Sequence, residues 1–575
     1  MNYKLINPTF KENYIEQLLK FKGIDNIDEY LNPTAAVLED PELLDNIHEG
    51  AELLLNIIKK EGKILLVVDS DTDGFTSSAI FYLYMKECFP YVNIEFILHE
   101  GKQHGLEDHI DSILNNNNSY DLIVLPDSSS NDKIYHDKLK EIGLPCLVLD
   151  HHLIDGEVSD NAIIINNQAS KNYQNKDLTG VGVTWQFCRY LDRILDQNYS
   201  EKYIDLAALG IIGDMGSLLS LESRYIIKNG LENIENFFFK TLVEKNSYSM
   251  NNEITPIGIA FYVVPMINAM IRIGTTGEKV RLFEAFIDGE KPVPSHKRGS
   301  NGELVPLAVE SARECTNTKN KQKKIREEIS EKLTYKIYKE DLLSNKILFI
   351  ELTDEDDDFP PGLSGLIAME LASKFNKPTI VARLNDEGYV KGSIRGLNNS
   401  KLNSFKDFLE SSNVMEFVSG HDNAAGCSIK ESNIQELLDY SNEQLKDFNF
   451  DSSFYLVNFE REISDNDIIL LIKNIYKYHN LYGQDLPEPL IYIGNIFLKH
   501  DEIQIIGEKQ DTVKFEKNGV TYIQFHAKKL INELSQYDTI DMEIIGKANI
   551  NTWGGKETPQ IFIDNYEVRD GLYSF

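Results

Sequence analysis

The sequence predicts an α/β protein: two α/β lobes joined by a long helix, followed by a smaller all-β module built as a barrel. Three observations carry this. Short apolar runs ending in polar or acidic residues alternate with helical stretches, first over 61–312 and again over 346–450. Between Arg313 and Lys339 the chain is densely charged and contains neither Gly nor Pro, as a long helix requires. After about residue 479 short alternating strands with turn residues take over.

Taken in order, residues 1–60 show helical spacing (Ile15, Leu18, Leu19; then Leu53, Leu54, Leu55, Ile58) and read as a helical N-terminal segment. The first lobe opens on Ile64–Val68, followed by a helix from Thr76 to Lys86, and similar runs recur at Ile94–Leu98, Leu122–Leu125, Leu147–Leu149 and Ala162–Ile165. Runs that are apolar throughout, rather than alternating, belong to parallel strands covered on both faces. Residues 201–285 turn helical, notably at Ala207–Ile212 and Phe261–Ile273. The charged stretch within 313–345 is expected to be a solvent-facing connector helix. In the second lobe the strand Ile347–Leu352, the helix Ser364–Phe375 and the strands Thr379–Ala382 and Tyr389–Ile394 follow. Residues 451–478 read as a linker, and 479–575 as the β module, with strands at Ile503–Ile506, Gly519–Phe525 and Met542–Gly546. Asn115–Asn118 and Asp354–Asp358 read as solvated loops.

At 575 residues the chain has room for about four domains, at roughly 150 residues each. With 42% hydrophobic and 10% aromatic residues it is neither disordered nor dependent on disulfides. Lys and Arg number 58 against 91 Asp and Glu, a net charge of −33. That balance opposes wholesale binding to a phosphate backbone, but permits a local basic groove and a carboxylate cluster that needs cations. The five cysteines (Cys88, Cys146, Cys188, Cys315, Cys427) form no CxxC pair, which excludes a zinc knuckle and suits a reducing compartment. No apolar run approaches 18 residues and the first 20 carry no signal pattern, so a cytoplasmic protein without a membrane span is expected.

Four acidic or histidine clusters each follow an apolar run: Asp69-Ser-Asp71-Thr-Asp73-Gly74, Pro126-Asp127-Ser128, Asp150-His151-His152 and Gly213-Asp214-Met215. Ligands of open α/β sheets bind outside the carboxyl ends of the strands, where the first three clusters would share one crevice. Two carboxylates about 4 Å apart repel by roughly 4 kcal/mol at an effective dielectric of 20, so five or six together demand divalent cations. Hard oxygen ligands with one or two imidazoles favour Mn²⁺ or Mg²⁺. Two such ions about 3.5–4 Å apart clamp the attacking and leaving oxygens of a phosphodiester. Asp69–Gly74 also opens like an EF-hand loop, but position twelve is Ile80 where a bidentate Glu is needed, and it follows a strand rather than a helix.

The series DSDTDG, PDSS, DHH and GD resembles the DHH phosphoesterase superfamily. Downstream, Gly420-His421-Asp422-Asn423-Ala424-Ala425-Gly426 is similar to the GGHxxAAG signature of the associated DHHA1 domain, as are Pro361–Gly365 (PGxxG) and Gly392–Arg395 (GSxR). Val264–Ala269 resembles the PRINA segment of RecJ-type exonucleases. Pro487–Pro489, Asn551–Gly555 with Trp553, and Gln560–Asp564 are similar to the RecJ OB-fold domain. The resemblance is collinear over about 60–575. It departs at Met266 (for the Arg of PRINA), at Ser419 (for the first Gly of GGH), at Pro360 (for a His) and in Ala269–Arg272, a reduced AAGR.

This resemblance implies a DHH lobe, a DHHA1 lobe and an OB-like C-terminal barrel, acting as a 5′→3′ single-strand DNA exonuclease in recombination, repair or replication. Two ions, Mn²⁺ or Mg²⁺, would be held by Asp69, Asp71, Asp73, Asp127, His151 and Asp214, with Asp127 bridging. His152 would contact the scissile phosphate and Asp150 would orient the histidine pair. Ser393, Arg395 and His421 would hold the DNA from the second lobe, with Arg395 and Arg272 gripping the terminal phosphate, and Trp553 is a candidate stacking platform. The partner implied is single-stranded DNA; a helicase or single-strand-binding partner protein is not readable from the sequence. The competing readings are a DHH phosphodiesterase for cyclic dinucleotides or short oligonucleotides, disfavoured by the β module, and a non-catalytic clamp, disfavoured by the intact ligand set.

Overall fold

The computed structural model describes residues 1–6, 14–101, 103–116, 119–353, 359–397, 400–450, 455–553 and 555–571, and for Trp553 only the backbone. Asn117–Asn118 and Asp354–Asp358, read as loops, and the side chain of Trp553 therefore lie outside the described residues. The chain forms two compact units, one holding most of the residues up to Lys319 together with Tyr478–Glu488, the other the remainder.

The first unit is built on five parallel strands: β1 (Lys63–Val68), β2 (Asn93–Leu98), β3 (Leu122–Pro126), β4 (Cys146–Asp150) and β5 (Ile163–Asn166). Their order in the sheet is β2-β1-β3-β4-β5. Every residue of β3 and β4 is buried, and every residue of β1 after Lys63, which explains why these segments read as unbroken apolar runs. The pleat splits them between two cores: Ile64, Leu66, Val68, Val124 and Leu149 pack on one face, Leu65, Val67, Ile123, Leu125 and Val148 on the other. The chain leaves β1 for β2 on one side and returns to β3 on the other. That reversal opens a crevice at the carboxyl ends of β1 and β3.

Helices cover the sheet: α1 (Thr72–Cys88), α2 (Gly180–Leu195), α3 (Ile204–Gly213), α4 (Val264–Ile273) and α5 (Thr276–Ile287). Helix α1 begins at Thr72, not Thr76, because Asp71 Oδ1 accepts the Gly74 N–H at 3.0 Å and caps the first turn directly after the strand. The expectation that no apolar stretch approaches membrane-spanning length needs correcting. The helical run Pro256–Ile273 is long and apolar enough by length and composition, and more than half of it is buried in the chain, as in a core helix. All five cysteines are free thiols.

The charged helix α6 (Leu307–Lys339) starts ahead of its charged stretch and is not solvent-facing throughout. Leu307, Ala308, Ala312 and Cys315 join the first unit's core, and Ile329, Leu333 and Ile337 are buried farther along. Charges on the remaining faces masked this i, i+4 apolar stripe in the sequence.

The second unit contains β6 (Leu348–Leu352), α7 (Ser364–Phe375), β7 (Thr379–Leu384), β8 (Tyr389–Arg395), β9 (Met415–His421) and β10 (Ala424–Lys430), with sheet order β9-β10-β8-β7-β6. Only β6 and β7 are parallel. A separate seven-stranded sheet comprises β11 (Phe459–Glu462), β12 (Leu490–Lys499), β13 (Gln504–Ile506), β14 (Thr512–Lys517), β15 (Val520–Gln524), β16 (Thr539–Trp553) and β17 (Lys556–Asp570). Its strands are not all short: β16 and β17 run 15 residues each. A register shift at Ile545/Gly546 breaks their alternation, so the sequence showed only a fragment. The segment read as a linker carries β11 and the helix Ile468–Tyr476, and within 1–60 the strand Tyr3–Leu5 pairs with Tyr455–Val457.

Trp185 anchors α2: its ring is fully buried and its Nε1–H donates to the Ser200 carbonyl at 2.9 Å. Trp185→Ala is expected to destabilise the protein by about 3–5 kcal/mol, read as a lowered denaturant midpoint. A loss below about 1 kcal/mol would show that this core relaxes around the cavity.

Candidate metal centre

The carboxyl ends of β1, β3 and β4 deliver Asp69, Asp127 and Asp150 to one crevice. Helix α1 adds Asp71 as its cap and Asp73 in its first turn, and Asp214 caps the end of α3. His151 Nε2 stands 3.3 Å from Asp127 Oδ1 and 3.5 Å from Asp214 Oδ2. Ligand-type atoms of Asp127, Asp150, His151 and His152 lie within 4.8 Å of one another, as do those of Asp73, His151 and Asp214, and of Asp69, Asp71 and His104. Through His151 the structure joins Asp73, Asp127, Asp150, His152 and Asp214, while Asp69 and Asp71 form a group with His104.

Bringing them together requires special backbone. Asp127 has φ +65°, Ser129 +77° and Met215 +58°, left-handed values that non-glycine residues adopt only when their surroundings impose them. A Cβ on Gly180 would sit 2.2 Å from Asp127 Oδ1, and one on Gly210 2.6 Å from Asp73 Oδ1. Two glycines on α2 and α3 therefore let the helices close on the carboxylates.

The carboxylates fall into two kinds. Asp150 is saturated: Oδ2 accepts the Ser130 N–H at 2.9 Å, and Oδ1 accepts the His151 N–H at 2.7 Å and pairs with His152 Nδ1 at 2.7 Å. Burial works to raise its carboxyl, but the His152 charge and hydrogen bond hold it below the usual carboxylate range. His152 is correspondingly pushed up to about 10: burial opposes this, and Asp150 overcomes it. In contrast, Asp73 Oδ2 and Asp127 Oδ1 are buried without a hydrogen bond. Burial first, then Asp71, pushes Asp73 up to about 7. Burial and the Asp73 charge push Asp127 and Asp214 well above the carboxylate range. Buried carboxylate oxygens left without a hydrogen bond beside an imidazole fit divalent cations, which supply the neutralisation that hydrogen bonds do not.

Reading the sequence missed His104 and Asn166. His104 Nδ1 is 2.6 Å from Asp69 Oδ2, and the Gly105 N–H donates to Asp69 Oδ1 at 3.3 Å. A signal was present, since the apolar run of β2 is followed by His99, Glu100 and His104, much as the neighbouring runs are followed by their clusters. Asn166, ending β5, donates through Nδ2 to Ser130 Oγ and to the His152 carbonyl, both at 2.9 Å.

The predicted strand-holding residues divide. Arg272 lies on α4, one turn after Asn268, whose Oδ1 accepts the Thr72 hydroxyl at 2.9 Å; i, i+4 spacing puts both on one helix face. Ser393, Arg395 and His421 belong to the second unit. Arg395, Ala424 and His421 are register partners across β8, β10 and β9, so Arg395 and His421 share a face about 10 Å apart. Ser393 Oγ is 2.9 Å from Ser364 Oγ, and a Cβ on Gly365 would touch the Arg395 guanidinium at 2.4 Å. The start of α7 thus faces the same two side chains.

Asp73, Asp127 and Asp214 bind protons more tightly folded than unfolded. Their contribution to stability is full below about pH 4 and is lost as pH rises, through about 7 for Asp73. In EDTA the unfolding midpoint is expected to rise as pH falls from about 8 to about 6, with Asp73→Asn flattening the rise. An equally steep rise in Asp73→Asn would assign it to the protein's general negative charge.

Comparison with known proteins follows the same lines. Residues 63–211 match the DHH family, N-terminal domain; 344–447 match the DHHA1 domain; 461–565 match the RecJ OB domain. The chain is 34% identical to a Bacillus subtilis protein named "Putative SPbeta prophage-derived single-strand DNA-specific exonuclease YorK", across 99% of this chain and 98% of that one. It is 24% identical to the single-stranded-DNA-specific exonuclease RecJ of Bacillus subtilis, across 97% of this chain and 68% of that one. The structure of RecJ from Thermus thermophilus in complex with Mn²⁺ shares the fold, with a TM-score of 0.74 at 19% identity, over 98% of this chain and 79% of that chain. With catalytic-lobe, DHHA1 and OB matches in sequence order and a relative aligned end to end, this chain belongs to the RecJ-type single-strand DNA-specific exonuclease family of DHH proteins.

Proposed function

We propose that the chain is a metal-dependent exonuclease that degrades single-stranded DNA from the 5′ end in recombination, repair or replication, in the cytoplasm. The observation that carries it is the buried set of unsatisfied carboxylate oxygens on Asp73 and Asp127 beside His151, in a chain collinear with named single-strand exonucleases. In this reading 1–60 is an N-terminal segment, 61–312 the catalytic lobe, 313–345 the connector and 346–450 the DHHA1 lobe, and the OB-like module begins ahead of 479, because β11 is a strand of its sheet.

Asp69, Asp71, Asp73, Asp127, His151 and Asp214 would hold two divalent cations, Mn²⁺ or Mg²⁺, which when bound supply Lewis-acid polarisation of the phosphodiester and an activated water. Asp127, beside His151, would be the central ligand of the set. Asp150, held by backbone donors, engages His152 Nδ1 and leaves Nε2 to donate to a phosphate oxygen. Arg395, Ser393 and His421 hold the 5′ end, Arg272 the strand near the metal centre, and Trp553 with its β module the distal strand. The seven-stranded module disfavours a cyclic-dinucleotide substrate, for which strand tracking has no use.

Asp127→Asn is expected to abolish nucleotide release in Mn²⁺, by about a thousandfold or more, while raising the unfolding temperature of the metal-free protein by relieving repulsion. Activity within about tenfold of wild type would remove Asp127 from the centre. Arg395→Ala is expected to lower kcat/KM about ten- to a hundredfold on a 5′-phosphorylated strand, the loss of a charge-assisted contact of about 1.5–3 kcal/mol, and to spare a 5′-hydroxyl strand. Equal slowing of both ends would place Arg395 elsewhere on the DNA.

A further inference from the structure

Two aspartate–histidine pairs, not one, flank the candidate metal centre. In the first, Asp150 and His152 approach to 2.7 Å, with side chains 1% and 51% exposed. In the second, Asp69 and His104 approach to 2.6 Å, with side chains 1% and 47% exposed. Each joins a buried carboxylate at a strand's carboxyl end to the Nδ1 of a half-exposed imidazole. Asp69 follows β1 and Asp150 ends β4, with β3 between them, so both pairs stand at the carboxyl edge of one sheet.

The loop that carries His104 is held by costly devices. Lys279, on α5, is 2% exposed, and the partners of its ammonium are the carbonyls of His99 at 3.3 Å, Glu100, and Gly101 at 3.5 Å. Burying an ammonium without a bonded carboxylate is expensive, and here it stabilises one stretch of backbone. On the other side of His104, the Leu106 N–H donates to Asp132 Oδ2 at 2.9 Å. Gly105 has φ +71°, and a Cβ there would lie 2.3 Å from that same oxygen. Carboxylate oxygens have lone pairs for both a cation and a hydrogen bond, so Asp69 can ligate and still orient the ring.

We infer that His104, oriented by Asp69 on a loop positioned by Lys279, is a second imidazole donating a hydrogen bond to the scissile phosphodiester. This rests on the phosphodiesterase reading above. Charge that develops on the phosphate oxygens would then meet donors from two sides, His152 and His104. Lys279 acts only through the loop and is a positioning residue.

The test compares wild type, His104→Gln and Lys279→Met on a 5′-phosphorylated oligothymidylate in Mn²⁺, with Mn²⁺ stoichiometry and affinity measured by calorimetry on each protein. The expected result for His104→Gln is a fall in kcat of about a hundredfold, KM within about threefold, and unchanged Mn²⁺ binding. Lys279→Met should lower kcat in the same way by a smaller factor, again without loss of Mn²⁺. Loss of one Mn²⁺ equivalent in His104→Gln would make His104 a ligand and overturn the inference. A kcat within about threefold of wild type would reduce the pair to a structural contact and also overturn it. If wild type itself is inert on the strand, the exonuclease reading fails and this inference with it; an active wild type with an unaffected variant overturns this inference alone.

Discussion

Repulsion among buried carboxylates is the constraint to which the first unit is built. Asp69, Asp73, Asp127 and Asp150 are each almost fully buried at one end of a parallel sheet. Without neutralisation, such a cluster favours protonation or unfolding. Asp150 is neutralised by protein: backbone N–H groups and His152. Asp73 and Asp127 each keep an oxygen without a hydrogen bond, and both carboxylates lie beside His151. That asymmetry separates carboxylates that shape the site from those suited to cations.

The surrounding elements answer the same constraint. A parallel sheet aligns strand ends, and its switch point leaves the crevice between β1 and β3 open. Gly180 and Gly210 let α2 and α3 approach the anions at distances no side chain permits. Helix α2 also points its first turn at one of them: the Val181 N–H donates to Asp73 Oδ1 at 3.0 Å, and the positive end of the helix dipole adds to it. The left-handed conformation of Asp127 is the cost of turning its carboxylate into this space.

The net charge of −33 and an affinity for a polyanion are compatible because the two operate at different ranges. Diffuse surface charge is screened within roughly 8–10 Å at moderate ionic strength. A few directional contacts, such as those proposed for Arg395 and His421, would act at bonding distance. Cations in the crevice would reverse the local sign where the reaction occurs.

The sequence by itself determined the parallel sheet, its strand-end clusters and the order of the lobes. Full burial of a strand on both faces forces an unbroken apolar run, and the first polar residue after it must sit at the sheet's edge. It likewise held the matches that extend along the chain, because motifs such as DHH and GSxR are contiguous. Boundaries were less legible: the cap at Asp71 moved α1 toward the strand, the bulge near Gly546 hid the length of β16, and charges concealed the buried stripe of α6. What only the tertiary structure decided is which carboxylate oxygens lack a partner, that Asp69 pairs with His104, and that Lys279 lies buried against the loop between them. Each depends on residues far apart in the chain, and no local pattern records a distance across 35 or 180 positions.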